Sequence, residues 1–276
     1  DGIRNIADIV LKLLIANVYN RSLKSFQKEL SKERSADVII ISAGNQDMSD
    51  YYAKHFGPLK GVIYREDVPL LSIPDFKGMR LGVGEAINNT LVTLKEKLPE
   101  LQLGYSHLEG KSLEDLRIVI IQAGGFGKRF IPGSSIGSKT LMLLPIVLPN
   151  GKQSTRMDFV LMHSYKFTQA LKERNQPGLV NLFGDGLLIT EPAIYDGIGL
   201  ITHPESLAFS LRKLGIVSFD SQTKRINAFI EKPAENEFIK AVETGLLEGI
   251  NLNDRDTRQI QTSTGSFVLT HSDPKK

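Results

Sequence analysis

The chain has 276 residues, of which 41% are hydrophobic and 24% are charged, a composition typical of a globular protein that folds without covalent cross-links. It contains no cysteine, which excludes disulfides, thiolate metal sites and a cysteine nucleophile and favours a reducing, cytoplasmic setting. The net charge of +3 comes without a long basic block, and no apolar segment reaches the roughly 18 residues needed to cross a bilayer. We therefore expect anionic small molecules as partners, and neither nucleic acid nor a membrane.

Residues 1–34 are predicted to form an N-terminal helical extension. Apolar residues recur at roughly helical spacing from Ile3 to Leu30, which indicates one or two amphipathic helices. We expect their apolar face to pack on the neighbouring domain, and docking of a partner is the second interpretation.

The remainder, residues 35–276, alternates between strand-like and helix-like segments. The predicted strands are Asp37–Ala43, Gly61–Tyr64, Arg117–Gln122, Leu179–Phe183, Ile198–Ile201, Gly215–Phe219, Arg225–Ile230 and Gly265–Thr270. The predicted helices are Gln46–Phe56, Ala86–Leu98, Met157–Arg174 and Glu235–Gly245. This alternation predicts one α/β domain of Rossmann-like type, with a mainly parallel sheet flanked by helices.

A glycine-rich turn follows the most apolar of these strands. The strand beginning at Ile118 runs into Ala123-Gly124-Gly125-Phe126-Gly127, and then come Arg129 and, further on, Lys139. Glycines allow backbone N–H groups to approach phosphate oxygens, and the two cations have the sign that a triphosphate requires. This combination predicts a nucleotide-phosphate site, although the glycines by themselves are equally typical of a tight strand-to-helix turn.

Two other phosphate motifs match less well. A dinucleotide fingerprint requires a final glycine where Phe130 stands. A P-loop would run from Gly133 to Thr140, but Ser138 replaces its second glycine, and the loop does not directly follow a strand. We keep the P-loop as a minor alternative, which predicts nucleotide hydrolysis that depends on Lys139 but not on Lys232.

Two further segments place charged residues directly after strands, where open α/β sheets bind ligands. Gly184-Asp185-Gly186 offers a single carboxylate, which suits Mg²⁺ beside a triphosphate, although an Asp-Gly turn is the structural alternative. Glu231-Lys232-Pro233 offers a lysine that can hold a sugar phosphate or can simply be a solvated charge.

These motifs, taken in order, resemble those of the sugar-1-phosphate nucleotidyltransferases. The matching segments are AGGFGKR at 123–129, Lys139-Thr140-Leu141, Gly184-Asp185-Gly186, Glu231-Lys232-Pro233 and Thr264-Gly265-Ser266-Phe267. The likeness is greatest to the fucose-1-phosphate guanylyltransferases, because further segments, which lie before or between these motifs, also resemble that family. Those segments are Asp37–Ala43, Gly82-Val83-Gly84-Glu85-Ala86, Thr202-His203-Pro204 with Ser206-Leu207, and Gly215-Ile216-Val217.

The resemblance implies transfer of a nucleotidyl group from a nucleoside triphosphate, best GTP, to a sugar 1-phosphate, best L-fucose 1-phosphate. It implies catalytic roles for Arg129, Lys139, Asp185 and Lys232, with Asp185 as the Mg²⁺ ligand. The implied nucleotide-binding residues also include Gly82, Gly84, Ala86, Ala123, Gly124, Gly125 and Gly127. The implied sugar-phosphate residues are Glu231, Lys232, Thr264 and Gly265.

The chain departs from the family pattern at three positions. Glu85 stands where glycine is usual and Ile87 where threonine is usual, and Ser263 replaces an acidic or amide residue. The C-terminal β-helical part of the family is not present, so we expect a fragment of a longer protein, and whether another module is fused beyond it stays open. Two alternatives remain: a catalytically silent homologue that binds nucleotide or sugar phosphate and regulates a partner, and a UTP- or ATP-dependent pyrophosphorylase.

Overall fold

The computed structural model describes residues 33–76, 81–123, 139–184, 197–206, 210–220, 223, 225–247 and 259–270, together with positions 10, 13, 17, 20, 21, 23–28 and 30. The chain divides into two compact units. The first comprises Asp1–Ile198 and Val268–Lys276, and the second comprises Gly199–Phe267.

The first unit contains six strands that lie wholly within it. They are β1 (Val38–Ala43), β2 (Leu70–Pro74), β3 (Arg117–Gln122), β4 (Leu143–Val147), β5 (Gln153–Thr155) and β6 (Gly178–Phe183). Four of them lie side by side in the order β2-β1-β3-β6, and every pair is parallel. All six residues of β1 are buried, as expected of a strand that is covered on both faces. The strands β4 and β5 form a separate antiparallel pair.

Three helices of this unit are described in full, and two of them begin with a side-chain cap. They are α1 (Gln46–Phe56), α2 (Val83–Gly104) and α3 (Arg156–Glu173). The side chain of Asn45 accepts the Met48 N–H at the start of α1, and Thr155 and Asp158 form a reciprocal capping box at the start of α3. Helix α1 packs on β1 and β2, α2 packs on β1, and α3 packs on β3 and β6.

The described N-terminal residues from Leu23 onward include contacts with this unit, whereas Val10 and Leu13 are 49% and 65% exposed. Leu23 and Phe26 are buried, and the Phe26 ring lies 5.4 Å from the ring of Tyr165 on α3. Arg65 also donates a hydrogen bond to the Leu30 carbonyl at 2.7 Å. These contacts support packing on the domain for the part of the apolar face at Leu23 and Phe26 and not for Val10 and Leu13, and the boundary at residue 34 stays a prediction.

The second unit is built around antiparallel strands. Its elements are β7 (Ile198–Ser206), β8 (Gly215–Phe219), β9 (Ile226–Ile230), helix α4 (Glu235–Glu243) and β10 (Gln259–Thr270), of which the two longest strands reach into the first unit at one end. Strand β8 is antiparallel to both β9 and β10, and β7 pairs with β10. The core of this unit is formed by Ile216, Ala228, Phe238, Ala241, Leu247 and Ile260.

The protein is therefore α/β, as predicted, and its first unit has the predicted parallel strands flanked by helices. The sequence predicted a mainly parallel sheet, and the structure shows a mixed one, because β8 is antiparallel to both β9 and β10. A turn closed by the Asp220 N–H and the Arg225 carbonyl, 2.8 Å apart, joins β8 to β9. Parallel strands need a crossover of a dozen or more residues, so a connection this short permits only antiparallel pairing.

One predicted strand was misplaced. Residues Gly61–Tyr64 form a turn closed by the Gly61 N–H and the Tyr64 carbonyl at 2.8 Å, with Gly61 at a φ of 78°. The strand that fills this place in the sheet is β2, which the sequence analysis missed. Pro69 precedes it and Pro74 ends it, and a short run between two prolines has the pattern of a loop.

Among the residues described above, none of the helices combines the length and the apolar composition needed to cross a membrane.

The fully buried carboxylate of Asp37 gives a test of the strand arrangement. Its Oδ1 accepts Lys111 Nζ at 3.0 Å, and its Oδ2 accepts the Arg117 backbone N–H at 2.8 Å, which ties the start of β1 to the start of β3. We expect Asp37→Ala to lower the free energy of unfolding by about 3 kcal/mol, because the donors that remain lose a buried partner. Urea unfolding measures this loss.

Glu96→Ala is the matched control, because Glu96 is exposed on α2 and its loss should change the free energy of unfolding by less than about 0.5 kcal/mol. Equal effects of the two substitutions would contradict a structural role for Asp37.

Candidate functional site

The carboxyl ends of the four parallel strands lie level with one another. Just past β2, β3 and β6, the backbone N–H groups of Asp75, Ala123 and Gly184 each donate to the neighbouring strand, at 2.7, 2.9 and 3.0 Å respectively. Open α/β sheets bind ligands outside this edge of their strands. The edge therefore defines the candidate nucleotide site, and the predicted segments that begin at Ala123 and Gly184 both leave from it.

Thr140 joins three of the predicted motif segments at this edge. It lies in a 3₁₀ turn, Lys139–Leu141, and its Oγ1 is 2.9 Å from the hydroxyl of Tyr52 on α1. The same Tyr52 hydroxyl donates to the Ala123 carbonyl at 3.2 Å. A Cβ on Gly184 would lie only 3.1 Å from the Thr140 methyl group. The ends of the glycine-rich, lysine and Gly-Asp-Gly segments are thus held together by one tyrosine and one threonine.

Several predicted site residues lie outside the described part of the chain. They are Gly124, Gly125, Gly127, Arg129 and Asp185, and the side chain of Lys139 is likewise not described. Within the described residues no group of three or more histidines and acids is arranged to hold a metal ion. The assignment of Mg²⁺ to Asp185 therefore stays a prediction.

The turn at 139–141 also bears on the P-loop alternative. A P-loop leads directly into an α-helix. Here the three-residue turn Lys139–Leu141 leads instead into the strand β4, and the Thr140 hydroxyl is bonded to Tyr52. This geometry disfavours the P-loop alternative.

The predicted glycine segment 82–86 forms the start of α2. Gly82 is the N-cap residue and offers no side-chain cap, and a Cβ at Gly82 or Gly84 would meet no atom within 4 Å. Ala86 is buried, whereas Glu85 points outward and Ile87 is half-buried. The two departures from the family pattern therefore leave the first turn open, and backbone N–H groups there are available to a ligand.

Sequence analysis missed Asp75, the residue that follows β2. It is 8% exposed, and its Oδ2 accepts the Leu81 N–H at 3.4 Å. Burial raises the pKa of the Asp75 carboxyl above its ordinary value of 3.8, and the bond from Leu81 opposes this shift only in part. The available signal was an aspartate directly after a strand, but the strand itself had not been recognised.

A groove lies along the start of α2, lined by Leu81, Gly84, Glu85, Asn88, Asn89 and Val92. Asn89 holds this helix to the end of β2, since its Nδ2 donates to the Pro74 carbonyl at 3.1 Å.

In the second unit, Lys232 follows β9 in a strained backbone conformation. Its φ of 45° lies in the left-handed region, which costs a residue other than glycine roughly 1–2 kcal/mol. Its Nζ pairs with Glu231 Oε1 at 2.8 Å, and both side chains are 58% exposed. An ion pair this exposed contributes about 0–1 kcal/mol, so Lys232 can exchange Glu231 for a phosphate at little expense.

The other predicted sugar-phosphate residues lie at the same end of the second unit's strands. Gly215 begins β8 and pairs with Ser263 of β10, and a Cβ on Gly215 would lie 3.0 Å from Glu231 Oε2. Thr264 and Gly265 follow Ser263 directly. The fold thus gathers Glu231, Lys232, Thr264 and Gly265, which the sequence places some 30 residues apart.

The hydroxyl groups near this end are engaged within the strands. Thr264 Oγ1 donates to the Ile201 carbonyl at 2.8 Å, and Ser263 Oγ accepts the Gly265 N–H at 3.0 Å. Gly265 has a φ of 77°, which explains the need for glycine at this position. Ser263 is therefore part of the local turn in the place where the family carries an acid or an amide.

Comparison of the chain with protein-family models, with curated proteins and with solved structures gave no match. The likeness to nucleotidyltransferases therefore depends on the motifs and on where the fold places them.

Two glycines of the site provide a matched test of its packing. We expect Gly184→Ala to lower the free energy of unfolding by about 1–3 kcal/mol, because the added Cβ meets Thr140 and the Gln122 carbonyl at 3.1 and 3.2 Å. Gly84→Ala should leave stability unchanged or raise it by up to about 1 kcal/mol, because Cβ finds open space and alanine favours the helix. Urea unfolding of both variants measures the difference, and a tolerated Gly184→Ala would contradict the close contact with Thr140.

Proposed function

We propose that the protein is a sugar-1-phosphate nucleotidyltransferase with a Rossmann-like fold. The phosphate of a sugar 1-phosphate attacks the α-phosphorus of a nucleoside triphosphate in line, and pyrophosphate leaves to give a nucleotide sugar. The substrates favoured by the sequence resemblance are L-fucose 1-phosphate and GTP.

The observation that carries this proposal is the meeting of three motif segments at Thr140, on the carboxyl edge of the parallel strands. The segments that begin at Ala123, Lys139 and Gly184 are separated by up to 61 residues in sequence. The Tyr52 hydroxyl nevertheless bonds the Ala123 carbonyl and the Thr140 hydroxyl, and Gly184 lies so near that an added Cβ would be 3.1 Å from the Thr140 methyl group. Segments with phosphate-binding and metal-binding chemistry are expected to converge in a phosphoryl-transfer site, and the carboxyl edge of a parallel sheet is where α/β proteins bind their ligands.

The chemistry asked of the protein is mainly positioning and neutralisation of charge. A sugar phosphate has a second pKa near ~6 and is already anionic at neutral pH, so its attack requires no general base. Backbone N–H groups at Gly124–Gly127, with Arg129 and Lys139, would offset the negative charge on the triphosphate. Asp185 would hold Mg²⁺, which supplies a further positive charge to the phosphate oxygens when it is bound.

Lys232 would hold the sugar phosphate. It is exposed and its present partner, Glu231, is bound only through an exposed ion pair. The strained backbone at Lys232 supports a functional role, because such conformations are retained mainly where function requires them.

The first experiment measures pyrophosphate release in the presence of Mg²⁺, from GTP with L-fucose 1-phosphate and, in parallel, from UTP with glucose 1-phosphate and from ATP with glucose 1-phosphate. We expect release in the first mixture and a loss of about 10²–10³ in kcat for Asp185→Asn. Asp115→Asn is the matched control, since Asp115 lies just before the amino end of β3 and not at the carboxyl edge.

Release in either of the other mixtures would keep the class of enzyme and change the substrates. Nucleotide binding without any release would favour the silent homologue. Unchanged turnover of Asp185→Asn would refute the assignment of the metal ligand.

A second test separates the strain at Lys232 from its charge. Lys232→Gly removes the ammonium group but relieves the positive φ, so we expect it to unfold at an equal or higher urea concentration while the KM for the sugar phosphate rises at least about tenfold. Lys240→Gly provides the contrast, because a glycine inside α4 should destabilise the protein by about 1 kcal/mol and leave KM unchanged. An unchanged KM in Lys232→Gly would remove Lys232 from the site.

A further inference from the structure

The buried carboxylate of Asp75 has no role in the proposed transfer reaction. It lies at the carboxyl end of β2, on the same edge as Ala123 and Gly184. Of its two oxygens, Oδ2 accepts one long bond from the Leu81 N–H at 3.4 Å. Oδ1 has no hydrogen-bond partner among the residues that the structure describes. A carboxylate has room for about four hydrogen bonds, so most of the capacity of this buried group is unused.

The fold does not explain why this position should carry a charge. Burial raises the pKa of Asp75, which means that the ionised form is less favourable in the folded protein than in the unfolded chain. At neutral pH this carboxylate therefore lowers stability. An asparagine would have the same shape without that disadvantage, so the charge is more readily explained by a ligand.

Hydrogen-bond donors lie beside this acceptor. Leu81, whose N–H reaches Asp75, directly precedes the N-cap residue Gly82, and the first N–H groups of α2 have no partners within the helix. The groove along this turn, which includes Gly84 and Asn88, is open to a ligand. Leu81, whose N–H Asp75 accepts, is itself one of the residues that line this groove, so the acceptor lies directly beside the groove and the backbone donors.

We propose that Asp75 selects guanine, by accepting hydrogen bonds from the ring N1–H and the 2-amino group while backbone N–H groups at the start of α2 donate to O6. Guanine has two adjacent donors on this edge, which match the two oxygens of a carboxylate. Uracil has one donor between two carbonyl groups, and adenine has a ring acceptor next to its amino group, so neither base matches. The inference rests on the proposed function, in which the ligand is a nucleoside triphosphate.

The spacing of the strands agrees with a single nucleotide laid across the edge. Strand β2 is two positions away from β3 in the order β2-β1-β3-β6. Neighbouring strands lie about 4.8 Å apart, so Asp75 is separated from the phosphate-binding turn at Ala123 by roughly 10 Å across the sheet. This leaves room for a ribose between the base at β2 and the phosphates at β3 and β6.

The test is equilibrium binding, without sugar, of GTP, ITP, XTP, ATP and UTP to the wild type and to Asp75→Asn. ITP lacks the 2-amino group, and XTP carries a carbonyl group in its place. We expect the wild type to bind GTP at least about tenfold more tightly than ITP, XTP, ATP or UTP. Asp75→Asn should lose at least about tenfold in GTP affinity and gain at least tenfold for XTP, since its amide N–H can donate to the 2-carbonyl group.

Glu96→Gln is the matched control, because Glu96 is an exposed carboxylate on the same helix, α2, that does not line the groove, so its replacement should leave the order of affinities unchanged. The gain for XTP shows that Asp75→Asn is folded. Thermal unfolding provides an independent check: this variant should melt at an equal or higher temperature than the wild type at pH 7. That difference should disappear as the pH falls towards the ordinary carboxyl pKa of 3.8.

Equal binding of GTP and ITP by the wild type, or a folded Asp75→Asn variant without altered preference, would overturn the inference. Failure of the proposed function has a different signature. Pyrophosphate release from UTP with no preference for guanine would leave the nucleotidyltransferase standing and remove the role of Asp75. The predicted GTP, ITP and XTP pattern without any pyrophosphate release would establish the guanine site and refute the enzyme.

Discussion

Parallel hydrogen bonding of β1 to β2 and β3, and of β3 to β6, determines where the described parts of the candidate nucleotide site in the first unit lie. Each residue of β1 is buried, and the register with its neighbours is continuous from Val38 to Ala43. Because the pairing is parallel, all of the strands deliver their following residues to one edge. Asp75, Ala123 and Gly184 are brought to the same edge by the backbone alone, and no long-range side-chain contact is needed to align them.

Side chains then hold the segments that leave the strands. The Tyr52 hydroxyl connects α1 to the Ala123 carbonyl and to Thr140, so α1 holds the point at which the chain leaves β3. At the start of the same helix, the Asn45 cap fixes its exit from β1. The helix that covers β1 and β2 therefore also shapes the ligand edge, which couples the stability of the core to the geometry of the site.

Sequence patterns were sufficient to predict the elements that have a strong local pattern of residue types. The β-branched runs of β1 and β3 and the helix from Gln46 to Phe56 were predicted at or within one residue of their observed bounds. Sequence patterns did not predict β2, because the prolines at its two ends are typical of a loop. Asp75 was therefore not recognised as a residue that follows a strand. The bond between Tyr52 and Thr140 joins residues that are 88 positions apart, and no local periodicity reports such a contact. Burial of a polar group depends on the assembled sheet and cannot be predicted from the residues next to it in the sequence.

The chain leaves and re-enters the first unit beside two residues that are hydrogen-bonded to each other. These residues are Gly197 and Thr270. The Gly197 N–H donates to the Thr270 hydroxyl at 2.8 Å, and the Thr270 N–H donates to the Gly197 carbonyl, also at 2.8 Å. The intervening residues, with Glu231, Lys232 and Thr264, are thus an insertion whose ends are already joined. Insertions of this kind can be exchanged while the host fold keeps its own core. The part of the chain between Gly197 and Thr270 can accordingly change in sequence as one piece while the core of the first unit stays intact.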